Sequence, residues 1–245
     1  MINRKAELTT KQLVTLIILI LSFVIILFLI FKLNLGGTAN REICHNSILL
    51  KDKSKLISGP LDCKTEYVCI LGGGECLSLN PAVTIEVDEK NQNEIFKALA
   101  EEMSSCWWMF GEGKVDYGGG STETSVQYAL CSIIEFDDEV QKEIPEISYS
   151  EFYNYLASNK KDESQTYFKY LYEVSDLSSF KPQKQIKVDI DIDKISTSEK
   201  YSIITGVDKK ILDIISDDDI LRVYIIPTSE TSQRVDESGE FLTKP

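Results

Sequence analysis

The chain has 245 residues, and its 26 lysines and arginines face 39 aspartates and glutamates, for a formal net charge of −13. So acidic a chain lacks the surplus of basic side chains that neutralises nucleic-acid phosphates, which excludes nucleic-acid binding as a leading function. The length suffices for one large domain or two small ones, each with its own hydrophobic core.

An uncharged apolar run begins at Leu13 and ends at Phe31. As a helix it would measure about 28 Å, close to the thickness of bilayer hydrocarbon, so it predicts a transmembrane helix at 13–32 that contacts the lipid bilayer. Basic residues precede the run, and the positive-inside rule then predicts a cytoplasmic segment at 1–12. We therefore expect a single-pass protein of the cell membrane, with a stalk at 33–41 and a C-terminal body outside.

Two other interpretations of the apolar run stay open. A cleaved secretory signal would need a small-x-small site after the run, and 33–39 is a poor candidate. A pilin-type leader would be clipped near Ala6, before a retained apolar helix that packs into a filament. A buried core helix is disfavoured, because a helix of a soluble domain rarely stays apolar on every face. An uncleaved signal anchor is the preferred interpretation, since the run is also longer than the apolar region of an ordinary cleaved signal.

All six cysteines follow the apolar run, and an even count outside the cytoplasm predicts three disulfides. The cysteines are Cys44, Cys63, Cys69, Cys76, Cys106 and Cys131. A glycine turn at 72–74 predicts a β-hairpin in which Cys69 and Cys76 lie opposite each other, within disulfide reach. The remaining cysteines would then pair in chain order, the first with the second and the last two with each other.

The body divides near Pro145 into a cysteine-containing α+β domain at 42–144 and a second α+β region at 145–227. Alternating and helical spacings of apolar residues define the elements of the first domain. In chain order we expect a strand at 82–87, an amphipathic helix at 93–110 and a returning strand at 128–136.

The second region begins with a capping box at Ser148, which predicts a short helix. A further helix and three strands are expected after it, at 163–172 and at 186–193, 201–207 and 220–226. The tail at 228–245 is polar, and we expect it to be disordered.

No motif predicts a catalytic, cofactor-binding or metal site. His45, the single histidine, follows a cysteine that is expected in a disulfide, so we interpret it as a solvated residue. Zinc binding competes with the disulfides, but the cysteines lack a Cys-x2-Cys knuckle and His45 alone could supply a nitrogen.

Acidic residues of the second region could bind calcium, which prefers six to eight oxygen ligands. Asp189, Asp191 and Asp193 lie on one face of a predicted strand, and 217–219 is a second run of aspartates. The spacing is not that of an EF-hand, so a solvated strand face is the preferred interpretation.

The densest aromatic cluster is at 107–110. Trp107 and Phe110 fit the buried stripe of the predicted helix, whereas Trp108 and Met109 point away from it. Because exposed tryptophan is enriched at binding hot spots, Trp108 and Met109 form a candidate contact with a partner protein.

Four stretches, at 11–18, 42–47, 60–64 and 106–113, resemble a family of single-pass membrane proteins of small-genome archaea of the DPANN group. The resemblance extends to about Leu171. It implies an envelope protein with a cysteine-stabilised outer domain, and it carries over no catalytic or binding residue.

The sequence thus predicts an α+β protein in which a single N-terminal transmembrane helix precedes a disulfide-stabilised extracytoplasmic body of mixed helices and strands. The expected function is a membrane-anchored binding or structural module of the cell envelope, with an envelope protein as its partner and without a cofactor. A pilin-like filament subunit is one alternative. An envelope hydrolase is the other, since two well-placed carboxylates would suffice for it.

Overall fold

The computed structural model describes ten stretches of the chain, which fall in two units, Met1–Ala39 and Asn40–Pro245. The described residues are 10–32, 35–53, 61–77, 81–115, 117, 126–183, 186–189, 194–208, 220–231 and 240–243.

Helix α1, Thr10–Lys32, lies in the first unit. Its described side chains, at 12–28, are exposed, and the large apolar ones among them have between 37% and 64% of their surface accessible. No helix in the described part of the chain is long and apolar enough to cross a membrane. This finding corrects the transmembrane helix predicted at 13–32, the single-pass membrane localisation and the membrane part of the predicted fold class.

The second unit is a mixed body of helices and strands with three disulfides. Its helices are α2 (Leu35–Lys53, which belongs to this unit from Asn40 onward), α3 (Gln92–Met109), α4 (Asp138–Glu143), α5 (Tyr149–Ser158) and α6 (Tyr167–Tyr172). Its strands are β1 (Glu66–Leu71), β2 (Val83–Glu86), β3 (Val126–Phe136), β4 (Glu146–Ser148), β5 (Lys194–Ser196), β6 (Tyr201–Asp208), β7 (Ile220–Pro227) and β8 (Glu240–Phe241).

The main sheet has the strand order β2-β1-β3-β6-β7, and β8 pairs with β3. Strand β1 is parallel to both β2 and β3, whereas β6 is antiparallel to both β3 and β7. The sheet therefore joins strands from both sides of Pro145. Strands β4 and β5 form a separate antiparallel pair.

Helix α3 lies at the centre of the core and packs against β3, β6 and β7 and against α5 and α6. The side chain of Asn91 caps its N-terminus by accepting a hydrogen bond from the backbone N–H of Asn93. The helix stops before Gly111, which has a φ of +78° that favours glycine. Apolar residues at helical spacing along α3 are buried, which confirms the amphipathic helix predicted at 93–110.

Several local predictions need correction. The hairpin after 72–74 is wrong, because β1 pairs in parallel with β2 and residues 75–77 form no strand. Of the strand predicted at 186–193, residues 187–189 form no strand, and residues 190–193 lie outside the described residues. The disorder predicted at 228–245 does not extend to β8, which pairs with Gln127 and Tyr128 of β3.

Two β-bulges flank β6. In the pairing of β3 with β6, Leu130 and Ser132 face consecutive residues of β6, so Cys131 is the extra residue. In the pairing of β6 with β7, two residues of β7, Arg222 and Val223, face the single residue Thr205. Bulges bend a strand and re-aim its side chains, which explains how Arg222 leaves the buried pattern of β7.

Strand β7 is the last in the strand order, and two tyrosine hydroxyls bind its edge that faces away from β6. Tyr149 on α5 donates a hydrogen bond to the carbonyl of Ile225 at 2.8 Å, and Tyr172 on α6 donates one to the carbonyl of Val223 at 2.9 Å. The side-chain amide of Gln183 accepts a bond from the backbone of β7 at 2.7 Å and donates one to it at 2.9 Å. These bonds fix α5 and α6 to the last strand of the order.

Candidate functional site

The structure forms three disulfides, and no free cysteine remains among the six, all of which are described. The pairs are Cys44–Cys63, Cys69–Cys76 and Cys106–Cys131, the pairings that the spacing favours. No cysteine thiolate is thus left for zinc. Within the described ranges, no group of three or more histidines, cysteines, aspartates and glutamates is placed to hold a metal ion.

Of the aspartates considered for calcium, the structure describes Asp189 alone, and its side chain is exposed. Asp191, Asp193 and the run at 217–219 lie outside the described residues. The solvated strand face therefore stays a prediction for them.

Trp108 and Met109, the candidate partner contact, lie where α3 packs against α2. The Trp108 indole stacks on the imidazole of His45 with ring centroids 4.2 Å apart, and His45 Nδ1 donates to the Trp108 carbonyl at 2.8 Å. Met109 is only 5% exposed. His45 is thus half-buried and pairs with Trp108 rather than standing free in solvent.

A buried ion cluster, the Arg41 cluster, consists of Arg41, Glu66 and Glu102. Arg41 Nε donates to Glu66 at 2.7 Å, and Arg41 Nη2 donates to both carboxylate oxygens of Glu102 at 2.9 Å. Burial raises the pKa of the Glu102 carboxyl, and the Arg41 guanidinium offsets part of that rise. One guanidinium thus holds both acids, so the cluster joins α2, β1 and α3 and offers no free pair of carboxylates.

A second polar group, the Arg222 surface, collects side chains from α3, the turn after it, α6 and β7. It consists of Trp107, Glu112, Lys114, Tyr170, Glu173 and Arg222.

Arg222 lies at the centre of this surface. Its guanidinium carbon is 5.2 Å from the centre of the Trp107 ring, and its Nη2 donates to Glu173 at 2.7 Å. Trp107 is buried beneath it, and the arginine side chain is 14% exposed. Stacking on an aromatic face is a preferred geometry for a guanidinium, so the arginine is held in place while its edge reaches solvent.

Two glutamates of the Arg222 surface have left-handed backbones. Within the described ranges, Glu112 at φ 55° and Glu173 at φ 61° are the two non-glycine residues with positive φ. Such a backbone costs about 1–3 kcal/mol for a residue with a side chain and recurs at functional sites. Glu173 ends α6, and Glu112 lies between two glycines of the turn after α3.

Both glutamates are ionised at neutral pH. The hydrogen bond from Lys114 Nζ, at 2.8 Å, lowers the pKa of Glu112, and that from Arg222 lowers the pKa of Glu173. Burial and the bond to Glu112 raise the pKa of the Tyr170 hydroxyl, which therefore stays protonated. A carboxylate hydrolase needs one acid with a raised pKa as proton donor. The arrangement is thus suited to binding rather than to proton transfer.

Sequence reasoning missed this surface. Arg222 is one charged residue inside an apolar run, and Glu112 is flanked by glycines, which are turn signals. A lone charge within a strand that is otherwise buried on both faces is the signal that could have marked Arg222.

No protein-family model, no curated protein and no solved structure matches this chain. The resemblance to a family of DPANN archaea stays a prediction. The function must therefore be argued from the residues of the Arg222 surface and from the disulfides.

Proposed function

We propose that this chain is a disulfide-stabilised extracytoplasmic binding module of the cell envelope that binds its ligand through the Arg222 surface. The observation that carries the proposal is the pair of left-handed glutamates, Glu112 and Glu173, which place ionised carboxylates beside Lys114 and Arg222. Backbone strain is retained where the surrounding structure and the function both demand a particular placement.

The disulfides support the oxidising location. They tie α2 to the segment before β1, β1 to the loop after it, and α3 to β3. Disulfides form and persist outside the reducing cytosol, and they stabilise a chain by restricting its unfolded state. A module braced in this way keeps its binding surface in shape outside the cell.

The charges favour binding over hydrolysis. Glu112 and Glu173 have lowered pKa values, so neither supplies a proton at neutral pH. In the Arg41 cluster, the carboxyl with a raised pKa is that of Glu102, whose two oxygens already accept hydrogen bonds from Arg41.

Site-specific photo-cross-linking tests the binding surface. A benzoyl-phenylalanine at Lys114, whose side chain is 75% exposed, should cross-link to the ligand in the cells that produce the chain. The matched control is the same substitution at Lys142 on α4, which is 68% exposed and outside the Arg222 surface. Equal cross-linking at both positions would contradict the proposal.

The oxidation state tests the location. The intact mass of the protein isolated from its own cells, after blocking of free thiols, should show three disulfides and no blocked thiol. Blocked thiols at several cysteines would place the body in a reducing compartment and would contradict the extracytoplasmic part of the proposal.

A pilin-like filament subunit is the second candidate, and the exposed apolar side chains of α1 favour it. Contiguous exposed apolar surface marks a region that another molecule covers, and copies of α1 packed together would cover it. N-terminal sequencing and electron microscopy of the isolated protein test this candidate. Cleavage near Ala6 together with filaments would support it, and an intact N-terminus without filaments would exclude it.

A further inference from the structure

We infer that Arg222 binds the carboxylate group of a small ligand, and that Glu173 occupies this place until the ligand displaces it. The inference rests on the proposed function, because it names the ligand chemistry of the Arg222 surface.

The arginine is held in position before any ligand arrives. Its backbone N–H donates to Gln183 Oε1 at 2.7 Å within the bulge of β7, and its guanidinium stacks on Trp107. Gly113 has a φ of +73°, and a Cβ there would come within 2.9 Å of the Trp107 ring. The glycine therefore keeps Trp107 in the place where it supports Arg222.

The guanidinium has donors to spare. An arginine side chain carries five N–H donors in a planar fork that matches a carboxylate through two parallel bonds. Among the described residues, the side chain of Arg222 makes one hydrogen bond, from Nη2 to Glu173. The present contact is thus a single bond where a ligand carboxylate could form two.

Glu173 is suited to leave. Its side chain is 61% exposed. An ion pair that is so open to water contributes little to stability. A ligand carboxylate would take over both the hydrogen bond and the negative charge of Glu173, so the charge next to Arg222 would not change. Lys114, which also interacts electrostatically with Glu173, supplies a second positive charge beside the ligand.

Isothermal titration calorimetry of the full chain tests the inference with four probes: N-acetylglutamate, glucuronate, inorganic phosphate and glucose. N-acetylglutamate and glucuronate, the two carboxylate probes, should both bind, and glucose should not. The two carboxylates distinguish an amino-acid ligand from a sugar acid, since the natural class should bind more tightly.

Three variants make the test specific. Glu173→Gln removes the internal competitor and should tighten carboxylate binding about twofold to fivefold, the worth of an exposed ion pair. Arg222→Lys removes the planar fork and should weaken binding at least about tenfold. Lys142→Gln, the control, should leave the dissociation constant unchanged.

Specific outcomes overturn the inference. It fails if phosphate binds as tightly as the two carboxylate probes. It also fails if Glu173→Gln leaves the dissociation constant of the carboxylate probes unchanged, a result that does not depend on whether the Arg222 variant folds. If the cross-link at Lys114 forms while neither carboxylate binds, the inference fails and the proposed function stands. If cross-linking is equal at Lys114 and Lys142, the proposed function itself fails.

Discussion

The two halves of the second unit share one sheet but are held together by different means. Residues 40–144 contain three disulfides and the Arg41 cluster. Residues 145–227 contain no cysteine, and their core is a group of aromatic rings around Tyr153, whose ring contacts those of Tyr149, Phe152, Phe168, Tyr172 and Phe180.

The difference follows from local structure. In the first half, α2 and the loop after β1 lie beside the sheet without strand pairing of their own, so covalent and ionic bonds fix them. In the second half, α5 and α6 bury large aromatic side chains, which provide apolar area and ring contacts. The first half should therefore respond to reductant, whereas the second should not.

The largest expected effect is that of Arg41→Met. Removal of the guanidinium leaves two buried carboxylates, Glu66 and Glu102, without their cation, and breaking a buried ion pair in this way costs about 3–5 kcal/mol. Urea denaturation of the oxidised protein measures the change in the free energy of unfolding. Lys194→Met is the control, because Lys194 and its partner Glu146 are both exposed, at 62% and 58%. This variant should produce no measurable change in the free energy of unfolding. If Arg41→Met changes the free energy of unfolding no more than Lys194→Met does, the cluster does not hold the first half together.

The next effect is that of the disulfides. Replacing Cys106 and Cys131 together by alanine opens a loop with a sequence separation of 25 and should lower the free energy of unfolding by about 3.5 kcal/mol in the chain-entropy model. The same change at Cys69 and Cys76, separated by 7, should cost about 2.5 kcal/mol. Denaturation of each double variant under oxidising conditions gives both values, and a reversed order would contradict the entropic explanation.

Tyr172→Phe sharpens the comparison in the second half. The variant keeps the ring but leaves the carbonyl of Val223 without its donor, which should cost about 1–2 kcal/mol. The loss should be the same with and without reductant. Tyr155→Phe on α5 is the matched control, since its hydroxyl has no hydrogen bond among the described residues. Equal losses for the two variants would show that the bond to β7 contributes nothing.

The smallest expected effect is a change in pH dependence. Because burial raises the pKa of Glu102 above 4.5, the folded chain keeps a proton that the unfolded chain has already lost. This contribution to stability is present at low pH and is lost as the pH rises from about 4.5 through the folded pKa. Glu102→Gln should flatten that decline in denaturation curves taken at several pH values. An unchanged slope would exclude Glu102 as its source.

The spacing of apolar residues along the sequence correctly predicts the elements that pack along their whole length. The apolar spacing of α3 and the apolar runs of β6 and β7 are local properties, and the structure confirms them. Helix α2 was missed because its sequence has two glycines near the start and no sustained apolar stripe; it is fixed instead by Arg41 and Cys44.

The Arg222 surface could not be predicted from local pattern. Arg222 reaches solvent because β7 has one residue more than the facing part of β6, and that register is set by strands far apart in sequence. Likewise, Glu173 meets Arg222 only because α6 ends beside β7, with Glu173 as its left-handed C-cap. The pairing of Cys106 with Cys131 was predictable, because few cysteines were available.

The hydroxyls and the amide that meet β7 also protect the molecule from aggregation. A terminal strand with open backbone groups is a template on which a second chain can add, the first step towards fibrils. Tyr149, Tyr172 and Gln183 occupy that template with side chains, which cannot themselves be extended into a further strand. The opposite terminal strand, β2, has four residues and alternately exposed side chains, so it offers a poor template. The two terminal strands of the order, β7 and β2, are therefore poor templates for the addition of a further strand.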